Sequence, residues 1–137
     1  MIISDACGVL VVEADPFLRF AAMGLVEDAG LSGYAAAHST KAFTVLTSHN
    51  DIGIMFTNIE MPGPLNGLEL AKIVRRRWPH IAIIVASGAS NVAANSLPTG
   101  TTFIAKPYLP EAVIAFLKEA ASSDRWDAAQ LDPPNHA

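Results

Sequence analysis

VLVVEADP, residues 9–16, holds two patterns within eight residues. Val9-Leu10-Val11-Val12 is apolar and largely β-branched, with no polar alternation. Such a run suits a strand covered on both faces. Asp15-Pro16 then has the chemistry of a helix start. The aspartate can cap the first free amides, and proline at the first helical position lacks an N–H that would be unpaired anyway. Leu18, Ala22, Leu25 and Ala29 follow at helical spacing, and Gly30 reads as the residue just past the helix end.

The same strand-then-helix grammar recurs along the chain. Tyr34–Ala37 is a weak second strand, and Ser39 or Thr40 caps a second helix running to about Ser48. Ile52–Thr57 is a third apolar strand. Residues 58–67 contain two prolines and two glycines and read as a loop. Leu68–Trp78 is a helix stopped by Pro79, and Ile81–Ala86 is the most apolar strand. Residues 87–100 are loop-like, with a short or poorly formed helix around Asn91–Leu97. Thr101–Ala105 is a fifth strand, followed by Lys106-Pro107. Glu111–Ala121 is a last helix with Val113, Phe116, Leu117 and Ala120 inward. Strand and helix alternate five times, which predicts an α/β fold: a doubly wound five-stranded parallel sheet with helices on both faces. Residues 1–121 form one domain, and residues 122–137 read as a flexible C-terminal tail.

Composition narrows the function classes. The chain has 137 residues, 51% hydrophobic and 16% charged, which is compact single-domain material. Nine basic against thirteen acidic residues give a net charge of −4, which argues against nucleic-acid binding driven by basicity. One cysteine, Cys7, excludes an internal disulfide and a cysteine-based zinc site, and it reads as an inert small hydrophobe. His38, His49, His80 and His136 are scattered without metal-ligand spacing. No apolar run, Ile81–Ala86 included, approaches the ~18 residues of a membrane span. The N-terminus lacks a signal-peptide pattern, so a cytoplasmic location is expected. The helix carrying Lys72, Arg75, Arg76 and Arg77 reads as a solvated basic face, with docking of an acidic partner as the alternative.

In open parallel sheets, ligands bind beyond the carboxyl ends of the strands. That edge should carry Glu13, Ala14 and Asp15 after strand one, and Asn58 and Glu60 after strand three. Ser87 and Gly88 follow strand four, and Lys106 and Pro107 follow strand five. Hard oxygen donors suit a magnesium ion, and a hydroxyl and an ammonium suit a phosphoryl group.

With VLVVEADP (9–16), MFTNIEMPGPLNGLELA (55–71), IIVASG (83–88) and FIAKP (103–107) in this order and spacing, the chain resembles the receiver domains of two-component response regulators. The resemblance covers residues 8 to about 120 and implies a flavodoxin-like (CheY-like) sheet of order 2-1-3-4-5. It implies roles position by position. Glu13 and Ala14 fall on the two acids that hold magnesium, and Glu60 falls on the position whose backbone carbonyl is the third ligand. Asn58 falls on the phosphoacceptor. Ser87, with Gly88 beside it, falls on the hydroxyl that meets the phosphoryl group. Lys106 falls on the pocket lysine, before a Pro107 whose peptide bond is often cis. Phe103 falls on the switch aromatic, although ordinary strand packing is the plainer reading.

Two of these positions depart from the pattern. An amide at 58 is a poor nucleophile where an anionic carboxylate would attack phosphorus. A methyl at 14 cannot ligate magnesium. Both changes remove negative charge, so Lys106 is expected to bond Asn58 or Glu13 with no metal present. The expectation is a non-enzymatic, phosphorylation-independent pseudo-receiver of the phosphorelay type. It would have no cofactor, or only residual Mg2+ affinity, and would act through protein–protein contact. Two alternatives stand beside it: a conventional Mg2+-dependent acceptor whose aspartate was mutated to Asn58, and a small-ligand binder using the vacated pocket. The expected partner is a histidine kinase, phosphotransfer or output protein. A homodimer is a further possibility, through Asn91–Leu97, Thr101–Ala105 and Glu111–Ala121. Neither nucleic acid nor membrane is expected as a partner.

Overall fold

A computed structural model of the chain describes residues 7–88 and 97–122. Five strands alternate with four helices among them: β1 (Gly8–Val12), α1 (Pro16–Asp28), β2 (Ser32–Ala36), α2 (Ser39–Ser48), β3 (Ile52–Asn58), α3 (Gly67–Arg77), β4 (Ala82–Ser87), β5 (Thr101–Ala105) and α4 (Pro110–Ala121). The strands form one parallel sheet in the order β2-β1-β3-β4-β5. This is the expected flavodoxin-like arrangement.

Successive strand residues point to opposite faces, which divides the core in two. Val9, Val11, Phe56 and Ile84 pack under α1 and α4, while Leu10, Val12, Met55 and Ile83 pack under α2 and α3. Both faces are covered, so β1 is buried along its whole length and shows no polar alternation. In β3, Ile52 and Ile54 face opposite sides although they are two residues apart. The pairing to β1 jumps from Gly8↔Ile52 to Val9↔Ile54, so Gly53 is the extra residue of a β-bulge.

Asp15 caps α1 as expected, accepting from the amides of Phe17 and Leu18 at 2.8 and 3.1 Å. Gly30 follows the C-cap at φ +81°. Its N–H donates to the Glu27 carbonyl and that of Leu31 to Val26, the paired bonds of a Schellman end.

Several expectations need correction. The second strand is Ser32–Ala36, because parallel pairing with Gly8–Val12 sets its limits. The cap of α2 is His38, whose Nδ1 accepts from the Lys41 amide at 3.2 Å, so Ser39 lies inside the helix. On α1, Val26 is buried, Leu18 is half in solvent and Leu25 is only partly covered. On α4, Val113, Leu117 and Ala121 are buried while Phe116 is exposed. Each helix therefore turns its apolar stripe slightly away from the face read in the sequence. Arg75 is no solvated cation. It is half-buried and donates to the carbonyls of Thr99, Pro79, Ile81 and Gly100 at 2.8–3.1 Å, tying the end of α3 to the loop before β5. The short helix expected around Asn91–Leu97, apart from Leu97 itself, and the tail beyond Ser122 lie outside the described residues.

Candidate functional site

The carboxyl ends of four strands bring Glu13, Asn58, Ser87 and Lys106 to one edge. The parallel register fixes their relative depth, with Asn58 opposite Ala86 and Ser87 opposite Ala105. Two backbone bonds extend that register past the strands. Ile59 N–H donates to the Ala86 carbonyl at 2.9 Å, and Lys106 N–H donates to the Ser87 carbonyl at 2.9 Å.

Glu13 is 9% exposed and is engaged on both oxygens. Oε2 accepts from the Asp15 amide at 3.0 Å, and Oε1 lies 3.8 Å from Lys106 Nζ. Of the two partners expected for Lys106, Glu13 is the one it takes. Asp15 caps α1 through Oδ1, which accepts both amide bonds. Ala14 presents only its methyl and its backbone.

Asn58 turns its amide nitrogen outward along the loop, and Nδ2 donates to the Glu60 carbonyl at 2.7 Å. Its Oδ1 is buried and has no hydrogen-bond partner among the described residues. The rotamer is understandable, because reversing the amide would set its oxygen against the carbonyl oxygen of Glu60. The Glu60 side chain reaches the other way and accepts from the hydroxyl of buried Ser87. Gly88 lies exposed just past Ser87, and the Lys106–Pro107 peptide bond is cis. Phe103 is half-buried and packs on the core face shared with α2 and α3.

The loop from Asn58 to α3 closes tightly over β3. Asn66 and Glu69 form a reciprocal capping box at the start of α3. Gly67 N–H donates to the Ile59 carbonyl at 2.8 Å, and a Cβ on Gly67 would lie 1.9 Å from the backbone oxygen of Asn58. Only glycine permits that approach.

The donor set does not fit magnesium. That ion demands near-octahedral hard oxygen ligands. The Glu60 carboxylate is held by Ser87, and of the two acid positions, 13 and 14, only Glu13 carries a carboxylate. It already accepts from Asp15 and pairs with Lys106, and the Glu60 carbonyl is taken by the Asn58 amide.

Two residues belong to the site that the sequence reading missed. Arg19 Nη1 donates to the carbonyls of Glu13 and Ala14 at 3.0 and 3.3 Å, and so grips the loop between β1 and α1. Its position one turn beyond the Asp15 cap was the available signal, because helical side chains lean toward the N-terminus. Tyr108, two residues past Lys106, stands with its ring centroid 6.1 Å from that of Phe56. Burial, with the Glu13 charge adding to it, holds the Tyr108 hydroxyl above its ordinary pKa, so it stays protonated.

Between α1 and these rings lies a cavity of about 480 Å3, with Asn58, Glu13 and Lys106 on its wall. A model of the response regulator receiver domain family matches residues 9–118.

The chain belongs to that receiver family.

It is 31% identical over 132 residues to the transcriptional regulatory protein FixJ of Azorhizobium caulinodans, covering 93% of this chain and 61% of FixJ. It is 26% identical over 128 residues to an NtrX-like response regulator of Rickettsia felis, covering 90% of this chain and 27% of that protein. The receiver thus spans about a quarter of the length of the NtrX-like relative. A response regulator receiver protein from Sinorhizobium medicae has the same fold at a TM-score of 0.78 and 21% identity, covering 85% of this chain and 95% of that one. Receiver domains serve two-component signalling by contact with histidine kinases or other signalling proteins. Among the described residues, no helix of this receiver is long and apolar enough to cross a membrane.

Proposed function

We propose that this receiver works without phosphorylation, as a cytoplasmic pseudo-receiver that signals by docking on a protein partner. It is not an enzyme in this reading, and it uses no magnesium. One observation carries the proposal. At the acceptor position stands an amide whose nitrogen is bonded to the Glu60 carbonyl, while the Glu60 carboxylate accepts from the Ser87 hydroxyl. The acceptor position and the pocket hydroxyl are thus both engaged with Glu60. An amide oxygen is also a far weaker nucleophile than a carboxylate.

The partner is expected to be a histidine kinase, phosphotransfer or output protein. Self-association through β5 and α4 is part of the same proposal. β5 is an edge strand, and Phe116 of α4 is exposed. An edge strand beside an exposed aromatic favours pairing.

The test is intact-protein mass before and after magnesium with a small phosphodonor. Parent, Asn58→Asp and the Asn58→Asp, Ala14→Asp double variant are run in parallel. A phosphoryl adduct on the double variant and none on the parent is the expected result. An adduct on the parent overturns the proposal. If the native gene encodes aspartate at 58, the conventional acceptor reading replaces it.

A further inference from the structure

The cavity between α1 and the loop after β5 can be read independently of the docking proposal above. Its volume of about 480 Å3 falls in the range of small-molecule sites. Leu18, Ala21 and Ala22 of α1 form one wall, and Phe56 and Tyr108 form the other. The small side chains of Ala21 and Ala22 leave the space open between helix and sheet. The two rings are tilted by 53°, which offers one aromatic face and one aromatic edge.

Lys106 stands at the polar end. Its one described partner is Glu13, at 3.8 Å, a separation too long for a hydrogen bond. The Lys106 side chain is 28% exposed, so an anion entering the cavity can reach its ammonium in place of solvent. The Glu13 carboxylate is meanwhile held by the Asp15 amide. The site therefore joins an apolar, aromatic-walled chamber to a solvent-accessible cation.

We propose that this cavity binds a small aromatic carboxylic acid, its ring between α1 and the Phe56–Tyr108 pair and its carboxylate on the Lys106 ammonium. A cation at the end of the cavity selects the anionic acid over a neutral analogue of the same shape. The aromatic walls select a flat ring.

The experiment is a heteronuclear NMR titration of the full chain with 2-naphthoate and, separately, with 2-naphthamide, which is nearly the same shape without the charge. Naphthoate should give saturable shifts centred on residues 18, 21, 22, 56, 106 and 108, at least tenfold tighter than naphthamide. Lys106→Met should reduce that preference to about onefold. Ala21→Trp, an exposed change at the mouth, should weaken both ligands tenfold or more. Absence of saturable shifts with naphthoate overturns the proposal. Equal affinity for the two ligands, or a preference unchanged in Lys106→Met, overturns the assignment of the carboxylate to Lys106. If Lys106→Met does not fold, the naphthoate-to-naphthamide ratio in the parent and the Ala21→Trp result still decide. The Asn58→Asp phosphodonor experiment is separate, so failure of one proposal leaves the other standing.

Discussion

The hydroxyl of Ser87 donates to the carboxylate of Glu60, joining the end of β4 to the loop after β3. Ser87 is buried while Glu60 is exposed, so the bond draws a solvated charge down onto the sheet edge. A hydrogen bond to a charged group is stronger than a neutral one, but water competes for the exposed end.

That bond should be measurable as a coupling. Ser87→Ala and Glu60→Gln, alone and combined, form a double-mutant cycle read by urea unfolding. We expect a coupling of about 1 kcal/mol. A coupling near zero would mean that solvent holds Glu60 and that the two side chains act independently.

Restored acids should restore a cation response. In the parent, saturating magnesium is expected to leave the melting temperature unchanged. In the Asn58→Asp, Ala14→Asp double variant, the amide donor to the Glu60 carbonyl is gone and two carboxylates join Glu13. Magnesium at a hundredfold excess over its Kd should then add about 2.7 kcal/mol. Thermal unfolding with and without the ion checks this, and a comparable shift in the parent would refute the misfit of its donor set.

Arg75→Met should cost more than an ordinary surface change. Four backbone carbonyls lose their guanidinium donor. Three of those bonds are exposed, so water recovers part of the loss. We expect about 2 kcal/mol, read from chemical denaturation. Amide exchange should speed up around Thr99 and Gly100 and at the base of β4, with little change near Lys106.

His80 should make stability fall on mild acidification. Burial lowers its pKa below the ordinary 6.5, helped by the Arg75 charge and opposed by a hydrogen bond to the Ile52 backbone. Above 6.5 the imidazole is neutral in both folded and unfolded chains. As the pH drops below 6.5, the unfolded chain takes up the proton first, so the folded state loses stability until its own lower pKa is passed. The melting temperature of the parent should therefore fall more steeply from about pH 7 to about pH 5 than that of His80→Gln. Parallel curves for the two proteins would rule out this role.

The fold was legible because its signals are local and repeated. Apolar runs without alternation and Asp15-Pro16 suffice to write a doubly wound sheet. Burial direction was less legible. Leu18 and Phe116 have helical spacing relative to buried neighbours, yet both face solvent. A stripe's period does not fix its rotation to within one residue. His38 as a cap was missed because Ser39 and Thr40 offer the commoner chemistry beside it.

The candidate site was legible in its members and not in its bonds. Glu13, Asn58, Ser87 and Lys106 lie where strand ends must put them. Which pairs they form depends on loop course and rotamer, which no spacing records. Thus Glu60, read for its backbone, also engages Ser87 through its side chain. Arg19 and Arg75 act on backbone carbonyls, and a main-chain acceptor is not marked by its own residue type, so for Arg19 only its place one turn past the Asp15 cap was a signal.

Gly67 is constrained by the main-chain oxygen of Asn58, and any residue at 58 would present that same oxygen. The glycine is therefore indifferent to whether its neighbour carries a carboxylate or an amide. A lineage could exchange the reactive group and still be unable to alter the glycine without forcing α3 off the sheet. Resemblance at 67 reports shared architecture, and only the atoms beyond the Cα of 58 report what the architecture is used for.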